Sequence, residues 1–335
     1  MNLLKQIKIS RYLLFVGSIF MMFLLGANSL LAQTESFSFD VYPKNPDPYS
    51  MVSVSISSFS VDLDRAQITW DLNGDLVLSG VGEKKFSVQV GDVGEVSILK
   101  VEATFRNGNK LNKTLALQPS YLDLLWEATD SYTPPFYKGK ALPSPEATIK
   151  VVATPEIKSF GGTTYKPSSL IYEWKKGIET QQGVSGFNKQ YFSFKHNFFD
   201  KEQGVRVSVS SPDKRSTAEN SVTIPFGKPF IAVYTEDIQE GVDFSREVSR
   251  QQTILTGKTN LVVVPYFFSV DTAIDGDLEY VWKINGKETQ NTSQKNKLSI
   301  VKSGQEGGLA GLEVVIESIT KLFQESRNSF SLDLR

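Results

Sequence analysis

Three of the four tryptophans lie in the same local setting, and this repetition constrains the fold more than any other feature of the sequence. Each follows a short apolar run and precedes a glycine turn, in Ile68-Thr69-Trp70-Asp71-Leu72-Asn73-Gly74, Tyr172-Glu173-Trp174-Lys175-Lys176-Gly177 and Tyr280-Val281-Trp282-Lys283-Ile284-Asn285-Gly286. The two intervals between successive tryptophans are nearly equal, at roughly 100 residues each. A spacing that recurs at this length indicates a structural unit used three times.

The flanking sequence repeats in register with these tryptophans. At nearly constant distances after each of them come an apolar-Ser-apolar strand, at 86–88, 192–194 and 298–300, and a second alternating strand, at 101–105, 205–209 and 312–316. The pairs Asn107-Gly108 and Asn285-Gly286 favour hairpin turns. Because apolar and polar residues alternate, each strand buries one face, which is typical of antiparallel sheets packed face to face.

About seven short strands fit each unit of roughly 100 residues, which is the size of an immunoglobulin-like sandwich with a buried tryptophan on its third strand. We therefore expect domains at residues 33–119, 120–226 and 227–335, the second with an aromatic and proline-rich N-terminal segment. Trp70, Trp174 and Trp282 are interpreted as core residues rather than as ligand platforms, because packing requires an aromatic residue at the same position of each unit.

The tryptophan strands resemble those of PKD and immunoglobulin-like modules of bacterial surface proteins, and Trp70-Asp71-Leu72-Asn73-Gly74-Asp75 looks like a degraded PKD signature. The segments 123–128 and 132–144 resemble uncharacterised exported proteins of small-genome candidate-phylum bacteria (Patescibacteria). The resemblance covers the whole chain after Ala32. It implies an all-β protein of three tandem immunoglobulin/PKD-like β-sandwich domains at the cell surface, and it implies no enzymatic activity.

The N-terminal segment 1–32 has the layout of a secretory signal peptide. Lys5, Lys8 and Arg11 precede an apolar run over 12–25, and small residues follow up to Ala32. We expect cleavage after Ala32, with an uncleaved membrane anchor as the alternative. The apolar run of about 14 residues is shorter than the roughly 20 that span a bilayer. The mature chain is therefore expected to be exported (extracellular, cell surface or periplasmic), without a membrane span after cleavage.

Composition removes several kinds of chemistry. There is no cysteine, which excludes disulfides, thiolate metal sites, cysteine nucleophiles and a lipoprotein anchor. The net charge is −1, so a nucleic-acid partner is not expected. The alternate acids Asp71 and Asp75, and Asp275 and Asp277, do not match a calcium loop and are interpreted as turn carboxylates. The single histidine, His196, is interpreted as packed or hydrogen-bonded. No catalytic residue, metal or cofactor is predicted.

The remaining tryptophan, Trp126, belongs to the best candidate for an interaction site. It lies outside the repeat, and Tyr132, Phe136 and Tyr137 follow it beside the rigid Pro134-Pro135 pair. Exposed aromatic rings of this kind bind peptides or sugar rings. The alternative is that Trp126 lies on an edge strand and that the loop behind it packs over the junction of the first and second domains.

These observations favour a non-enzymatic, exported structural or adhesion-type protein that binds a protein or glycan partner at the cell envelope through its sandwich surfaces. The same interpretation includes a component of an envelope assembly such as a pilus or secretion system. The alternative is a carbohydrate-binding accessory protein that uses Trp126 and Tyr137. A hydrolase is disfavoured, because three repeats leave no segment long enough for a catalytic domain.

Overall fold

The computed structural model describes residues 35–248, 251–254, 258–289, 294–301 and 308–334. Within these ranges the chain is all-β. The helical elements there are three single turns of 3₁₀ helix, at Leu63–Arg65, Pro167–Ser169 and Gln182–Val184. No helix in the described part of the chain is long and apolar enough to cross a membrane. The expected signal peptide, 1–32, lies outside the described residues.

The described residues divide into two compact units. The first comprises the described part of Met1–Tyr42, together with Val52–Val88 and Ile98–Ala116. The second comprises the described parts of Pro43–Met51, Gln89–Ser97 and Leu117–Arg335. One two-sheet sandwich lies in the first unit, and two such sandwiches lie in the second.

Seven strands form the first sandwich. They are β1 Ser38–Tyr42, β2 Met51–Ser57, β3 Gln67–Leu72, β4 Asp75–Val81, β5 Lys85–Gln89, β6 Ser97–Thr104 and β7 Lys110–Leu117. The two sheets have the orders β1-β2-β5 and β4-β3-β6-β7. Alternate residues Val52, Val54 and Ile56 of β2 are buried, and so are Ile68 and Trp70 of β3. Each sheet therefore turns one face of its strands toward a shared core.

Eight strands form the second sandwich. They are β8 Tyr121–Ala128, β9 Thr148–Glu156, β10 Ile171–Lys176, β11 Glu179–Thr180, β12 Gly186–Phe187, β13 Tyr191–Lys195, β14 Glu202–Ser210 and β15 Thr217–Pro225. One sheet has the order β13-β9-β8, and the other has the order β11-β10-β14-β15, with β12 paired to β10. Ile149, Val151 and Trp174 are fully buried between the sheets.

Nine strands form the described part of the third sandwich. They are β16 Phe230–Asp237, β17 Gly241–Val242, β18 Gln251–Ile254, β19 Lys258–Tyr266, β20 Leu278–Ile284, β21 Lys287–Thr289, β22 Lys297–Val301, β23 Gly308–Ser318 and β24 Glu325–Leu334. The sheets have the orders β17-β16-β19-β22 and β18-β24-β23-β20-β21. Strand β18 runs parallel to β24 and extends the second sheet on that side.

The same plan recurs in all three sandwiches. The strand that bears the tryptophan lies in one sheet with the last two long strands and pairs with the first of them. In the other sheet, the strands before it pair with the strand that follows the tryptophan hairpin. This is the arrangement of immunoglobulin-like and fibronectin type III domains, so the predicted fold class is confirmed. The expected domain cuts fall between β7 and β8 and between β15 and β16. The chain divides into two compact units, whereas three domains are predicted, so the domain boundaries at 119/120 and 226/227 stay a prediction.

The repeated tryptophans lie on β3, β10 and β20, with relative exposures of 0, 0 and 2%. Each indole N–H donates to a backbone carbonyl, from Trp70 to Glu83 (2.7 Å), from Trp174 to Lys189 (2.8 Å) and from Trp282 to Lys295 (3.1 Å). Each acceptor lies two residues before a strand of the opposite sheet, β5, β13 or β22. The bond satisfies a buried donor and sets where that strand begins, which explains the recurring spacing after each tryptophan.

Candidate functional site

Trp126 lies near the end of β8, which is an edge strand of its sheet. Its ring is half-buried against the core of the second sandwich, and the Nζ atom of Lys140 lies 3.5 Å from the ring centroid. Desolvation lowers the pKa of Lys140, while nearby Glu127 acts in the opposite direction. One face of the indole is therefore covered by a cation–π contact.

The segment 129–147, which joins β8 to β9 and which we call the strap, reaches the third sandwich. The backbone N–H of Tyr132 donates to the carbonyl of Phe268, and the N–H of Phe267 donates to the carbonyl of Tyr132, both at 2.8 Å. An antiparallel bridge also pairs Ser131 with Ser269. The strap thus adds a short backbone ladder at the end of β19.

The strap also covers the outer face of the sheet that contains β16 and β19. Tyr132, Ala141 and Leu142 of the strap pack on this face, and Val242 and Phe244 of the third sandwich cover it as well. The ring of Tyr137 meets the rings of Tyr266 and Phe267 edge to face, with centroids 5.8 Å apart in both pairs. The result is a second small core outside the sandwich, whose buried members are Ala232, Tyr234, Val262, Val264, Tyr266 and Phe267.

The polar atoms of this outer core include the hydroxyl groups of buried tyrosines. The hydroxyls of Tyr234 and Tyr266 are 2.7 Å apart and share a hydrogen bond. Desolvation is the main cause that raises the pKa of Tyr266, and the bond with Tyr234 adds to it. Burial also raises the pKa of Tyr132. The covered face therefore contains neutral phenols that must stay protonated for it to remain packed.

The alternative interpretation of the sequence, in which the loop behind Trp126 packs at a domain junction, is wrong about which junction. It placed the strap over the junction of the first and second domains, whereas the strap packs on the third sandwich. The reason is topological. The strap follows the last residue of β8, and it lies at the end of the second sandwich where β15 also ends and the chain continues into the third. The N–H of Gly227, just after β15, donates to the carbonyl of Pro143 at 3.0 Å.

Phe136 is the exposed apex of the strap. The segment 134–137 forms a turn closed by a 3.3 Å hydrogen bond from the N–H of Tyr137 to the carbonyl of Pro134. Phe136 has a φ of 66° and a side chain that is 87% exposed. This left-handed conformation is rare for a bulky residue and costs about 1–3 kcal/mol. The turn thus holds one aromatic ring in solvent at a conformational cost.

A second group of exposed aromatic residues was missed by the sequence analysis. Phe198 and Phe199 lie in the loop between β13 and β14, and Phe323 lies in the loop between β23 and β24. The rings of Phe198 and Phe323 stack with centroids 4.6 Å apart. Phe199 and Phe323 are 80% and 63% exposed. The adjacent Phe198-Phe199 pair in a loop is the one sequence signal that pointed here, because Phe323 is far away along the chain.

Gln324 connects the strap to the third sandwich beneath this group. Its side chain is 1% exposed, and its Nε2 donates to the carbonyl of Pro145 (2.6 Å) and to the Oγ of Ser269 (2.8 Å). Its Oε1 accepts the backbone N–H of Ser269 at 2.8 Å. The Oε2 of Glu146, at the end of the strap, accepts the N–H of Leu322 at 3.3 Å. The β23–β24 loop is therefore held at a fixed position against the strap.

The histidine and the aspartates that the sequence singled out bond backbone groups of the fold. His196 is buried, and its ring nitrogens lie 2.9 Å from the carbonyl of Ser144 and 3.2 Å from that of Asp200. The carboxylates of Asp71 and Asp275 accept turn N–H groups at 2.8 and 3.0 Å. In the described ranges, no three His, Asp or Glu side chains are grouped as metal ligands.

No protein-family model matches the chain, and no curated protein matches it. Among solved structures, the fibronectin(III)-like modules of Clostridium thermocellum CbhA are similar at 10% identity and a TM-score of 0.27, covering 56% of this chain and 94% of theirs. Three N-terminal domains of the bacteriophage RB49 Highly Immunogenic Outer Capsid protein are similar at 12% identity and a TM-score of 0.24, covering 90% and 98%.

A third similar structure is Bacteroides ovatus SGBP-B, of a mixed-linkage glucan utilization locus, in complex with a heptasaccharide. It is 12% identical, with a TM-score of 0.20 and coverage of 90% of this chain and 71% of that one. At such TM-scores these likenesses assign neither a relative nor a function. The resemblance to PKD modules and to exported proteins of Patescibacteria therefore stays a prediction.

Proposed function

We propose that the mature chain is a non-enzymatic, exported binding protein of the cell surface or periplasm, which holds a protein-binding aromatic apex on a firmly connected pair of sandwiches. The observation that carries the proposal is Phe136, which is 87% exposed at a φ of 66°. Folding alone gives no reason to keep a large apolar ring in solvent in a strained backbone conformation. Strain of this kind clusters at binding and catalytic sites.

The surroundings of Phe136 suit a binding role. Tyr137, next to it, is anchored against Tyr266 and Phe267, and Pro134 and Pro135 restrict the backbone on the other side. A ring presented in this way loses little conformational freedom when a partner covers it. Aromatic residues, phenylalanine included, are enriched in the buried cores of protein interfaces, and preorganisation lowers the entropic cost of binding.

The connection between the second and third sandwiches supports rigid presentation. The strap contributes two backbone hydrogen bonds beside Tyr132, a packed outer face on β19 and the buried Gln324 contacts. A partner that pulls on the apex therefore pulls on two sandwiches together. This suits an adhesion-type protein or a component of an envelope assembly such as a pilus or secretion system.

A protein partner fits this geometry better than a sugar. The Lys140 ammonium occupies one face of Trp126, and Tyr137 uses its ring against two other aromatic rings. Trp126 is also half-buried against the core of the second sandwich, so neither residue presents a fully exposed ring to a sugar. The ring of Phe136 is free, but it carries no polar atom that could bind sugar hydroxyls.

The test is a quantitative pull-down from an envelope extract with chain 33–335, its Phe136→Ala variant and a Phe59→Ala control. Phe59 is also a fully exposed phenylalanine, but it lies in the first unit. We expect a set of proteins that the wild-type chain and the control capture, and that Phe136→Ala captures at least about tenfold less, as for a buried aromatic anchor. Equal capture by all three chains would contradict the proposal. An unchanged circular dichroism spectrum establishes that the variants are folded.

A further inference from the structure

Three glutamates stand side by side on the outward face of the third sandwich. In the antiparallel registers, Glu279 of β20 pairs directly with Glu317 of β23, and Glu317 pairs directly with Glu325 of β24. All three side chains are exposed. Like charges directly opposite each other on neighbouring strands destabilise a sheet. Charge repulsion is thus concentrated in one cross-strand row.

Elsewhere on the same face, the negative charge of a glutamate is balanced by cations on the neighbouring strands. Glu313, four residues before Glu317 on β23, lies 3.1 Å from the Nζ of Lys283 and 3.8 Å from the Nη1 of Arg327, on the two flanking strands. In the described part of the chain, no ion pair joins Glu279, Glu317 or Glu325 to a cation. One row is therefore balanced within the fold, and the other is not.

Apolar side chains border the unbalanced row. Ile319, Leu322 and Phe323 of the β23–β24 loop are 65%, 64% and 63% exposed. Together with the three glutamates they line a cleft of about 590 Å³, which Lys321 also borders. Bonds from Gln324 and the stacking of Phe198 on Phe323 hold this loop in place. We call this concavity the acidic cleft.

We propose that the acidic cleft is a docking site for a protein segment that carries lysine or arginine beside an aliphatic or aromatic side chain. The proposal goes beyond the proposed function, because it names the chemistry of a partner at a surface separate from Phe136. Charge complementarity carries it, because a cationic segment relieves the repulsion in the glutamate row while its apolar side chain covers the exposed loop.

A metal ion or a second copy of this chain would match the acidic cleft less well than a basic and apolar segment. A divalent cation leaves the apolar wall in water, and the described carboxylates include no group of three placed for metal ligation. A second copy of this chain, with a net charge of −1, brings no excess of positive charge. A basic and apolar segment matches both halves of the cleft.

The probe is a fluorescent peptide of sequence Gly-Ser-Lys-Phe-Arg-Leu-Lys-Gly-Ser, compared with one peptide in which the basic residues become Glu and one in which Phe and Leu become Ser. Anisotropy with chain 33–335 reports binding at low and at high salt. We expect the parent peptide to bind at least about tenfold more tightly than either comparison peptide, with affinity falling as salt rises. Absence of parent-peptide binding, or equal binding of all three peptides, would overturn the proposal.

Two variants locate the site, each with a matched control. Glu317→Lys and Phe323→Ser should each weaken binding by about tenfold or more, whereas Glu288→Lys and Ile238→Ser, exposed residues outside the cleft, should leave it unchanged. The thermal midpoint of Glu317→Lys should be equal to or above that of wild type, because the change replaces repulsion by attraction across the strands. This result separates loss of the site from loss of the fold.

Further measurements exclude the other occupants. Loss of peptide binding on addition of EDTA would assign the cleft to a metal ion and overturn the proposal. Self-association in analytical ultracentrifugation that Glu317→Lys abolishes would assign it to a second copy, which also overturns it. Phe136→Ala should bind the peptide like wild type, so a failure at the strap apex and a failure at the acidic cleft remain distinguishable.

Discussion

Two equivalent sheets of the second compact unit differ in what covers them. In the second sandwich, β9 buries Ile149 and Val151 inward and turns Lys150 and Val152 outward to partial exposure. In the third, β19 is buried on both faces from Leu261 to Tyr266. The difference arises because the strap, which belongs to the second sandwich by sequence, packs on the outer face of the third together with Val242 and Phe244. Two repeats of one fold thus acquire different surfaces through the segments that connect their strands.

The largest effect is expected from a charge placed on the covered outer face of the third sandwich, compared with the same charge on the uncovered outer face of the second. Val152 and Val262 have equivalent positions, since Val152 pairs with Leu125 and Val262 pairs with Tyr234. Val262→Lys should destabilise the second unit by about 3 kcal/mol or more, because the ammonium loses solvent in the outer core. Val152→Lys should change stability by less than about 0.5 kcal/mol. Urea unfolding followed by circular dichroism measures both, and equal effects would mean that the strap does not cover β19.

Removing the anchor of the strap should have a somewhat smaller effect. Tyr132 packs against both cores of the third sandwich. Tyr132→Ala should cost about 3 kcal/mol and separate the unfolding of the second and third sandwiches. Differential scanning calorimetry should then resolve an additional transition that the wild-type chain lacks. A Tyr191→Ala control, on the uncovered face, should leave the number of transitions unchanged, and an unchanged thermogram for Tyr132→Ala would contradict the coupling.

Alkaline pH should destabilise the covered face, in addition to acting on Tyr172 and Tyr280 of the inner cores, whose pKa values are also raised by desolvation. The raised pKa of Tyr266, mainly from desolvation, means that its contribution to stability is complete below the ordinary tyrosine pKa of about 10 and is lost as pH rises above it. Tyr266→Phe should remove part of this alkaline loss, while costing about 1 kcal/mol at neutral pH because the Tyr234 hydroxyl loses its partner. Tyr191→Phe, on a residue that is 58% exposed, is the control. Equal alkaline profiles of both variants and wild type would contradict this account.

The smallest effect concerns the apex. Phe136→Gly should raise stability by about 0.5–1 kcal/mol, because glycine adopts a φ of 66° without strain although it gains freedom in the unfolded chain. Phe136→Ala keeps the strain and should show no such gain. Both variants should lose partner capture in the pull-down. A glycine variant less stable than the alanine variant would show that the ring supports the fold instead.

The sequence predicted the fold well because its signals are local. Alternation marked the strands, and the tryptophan spacing marked the repeats, since each indole N–H bonds a carbonyl at a nearly constant distance along the chain. The continuous apolar run Leu261-Val262-Val263-Val264 is a signal that the sequence analysis missed, because a strand buried on both faces reads as such a run.

The candidate site was predicted only in part, for a physical reason. The aromatic residues of the strap stand out in the sequence, yet whether Tyr137 is anchored and Phe136 is free depends on a partner surface far away along the chain, at Tyr266 and Phe267. The glutamate row was out of reach in the same way. Glu279, Glu317 and Glu325 become neighbours only through strand register, which no local pattern reports.

The bond from each tryptophan to the carbonyl ahead of the next strand has a practical consequence. In the second sandwich the acceptor lies 15 residues after Trp174, against 13 in the other two, and the segment in between holds the 3₁₀ turn Gln182–Val184. Extra length has thus been inserted while both ends stayed fastened. A foreign epitope grafted at 182–184 should be displayed as a tethered loop, because Gln181 and Ser185 on either side of it bond the backbone of Trp174, which makes this chain a candidate scaffold for engineering.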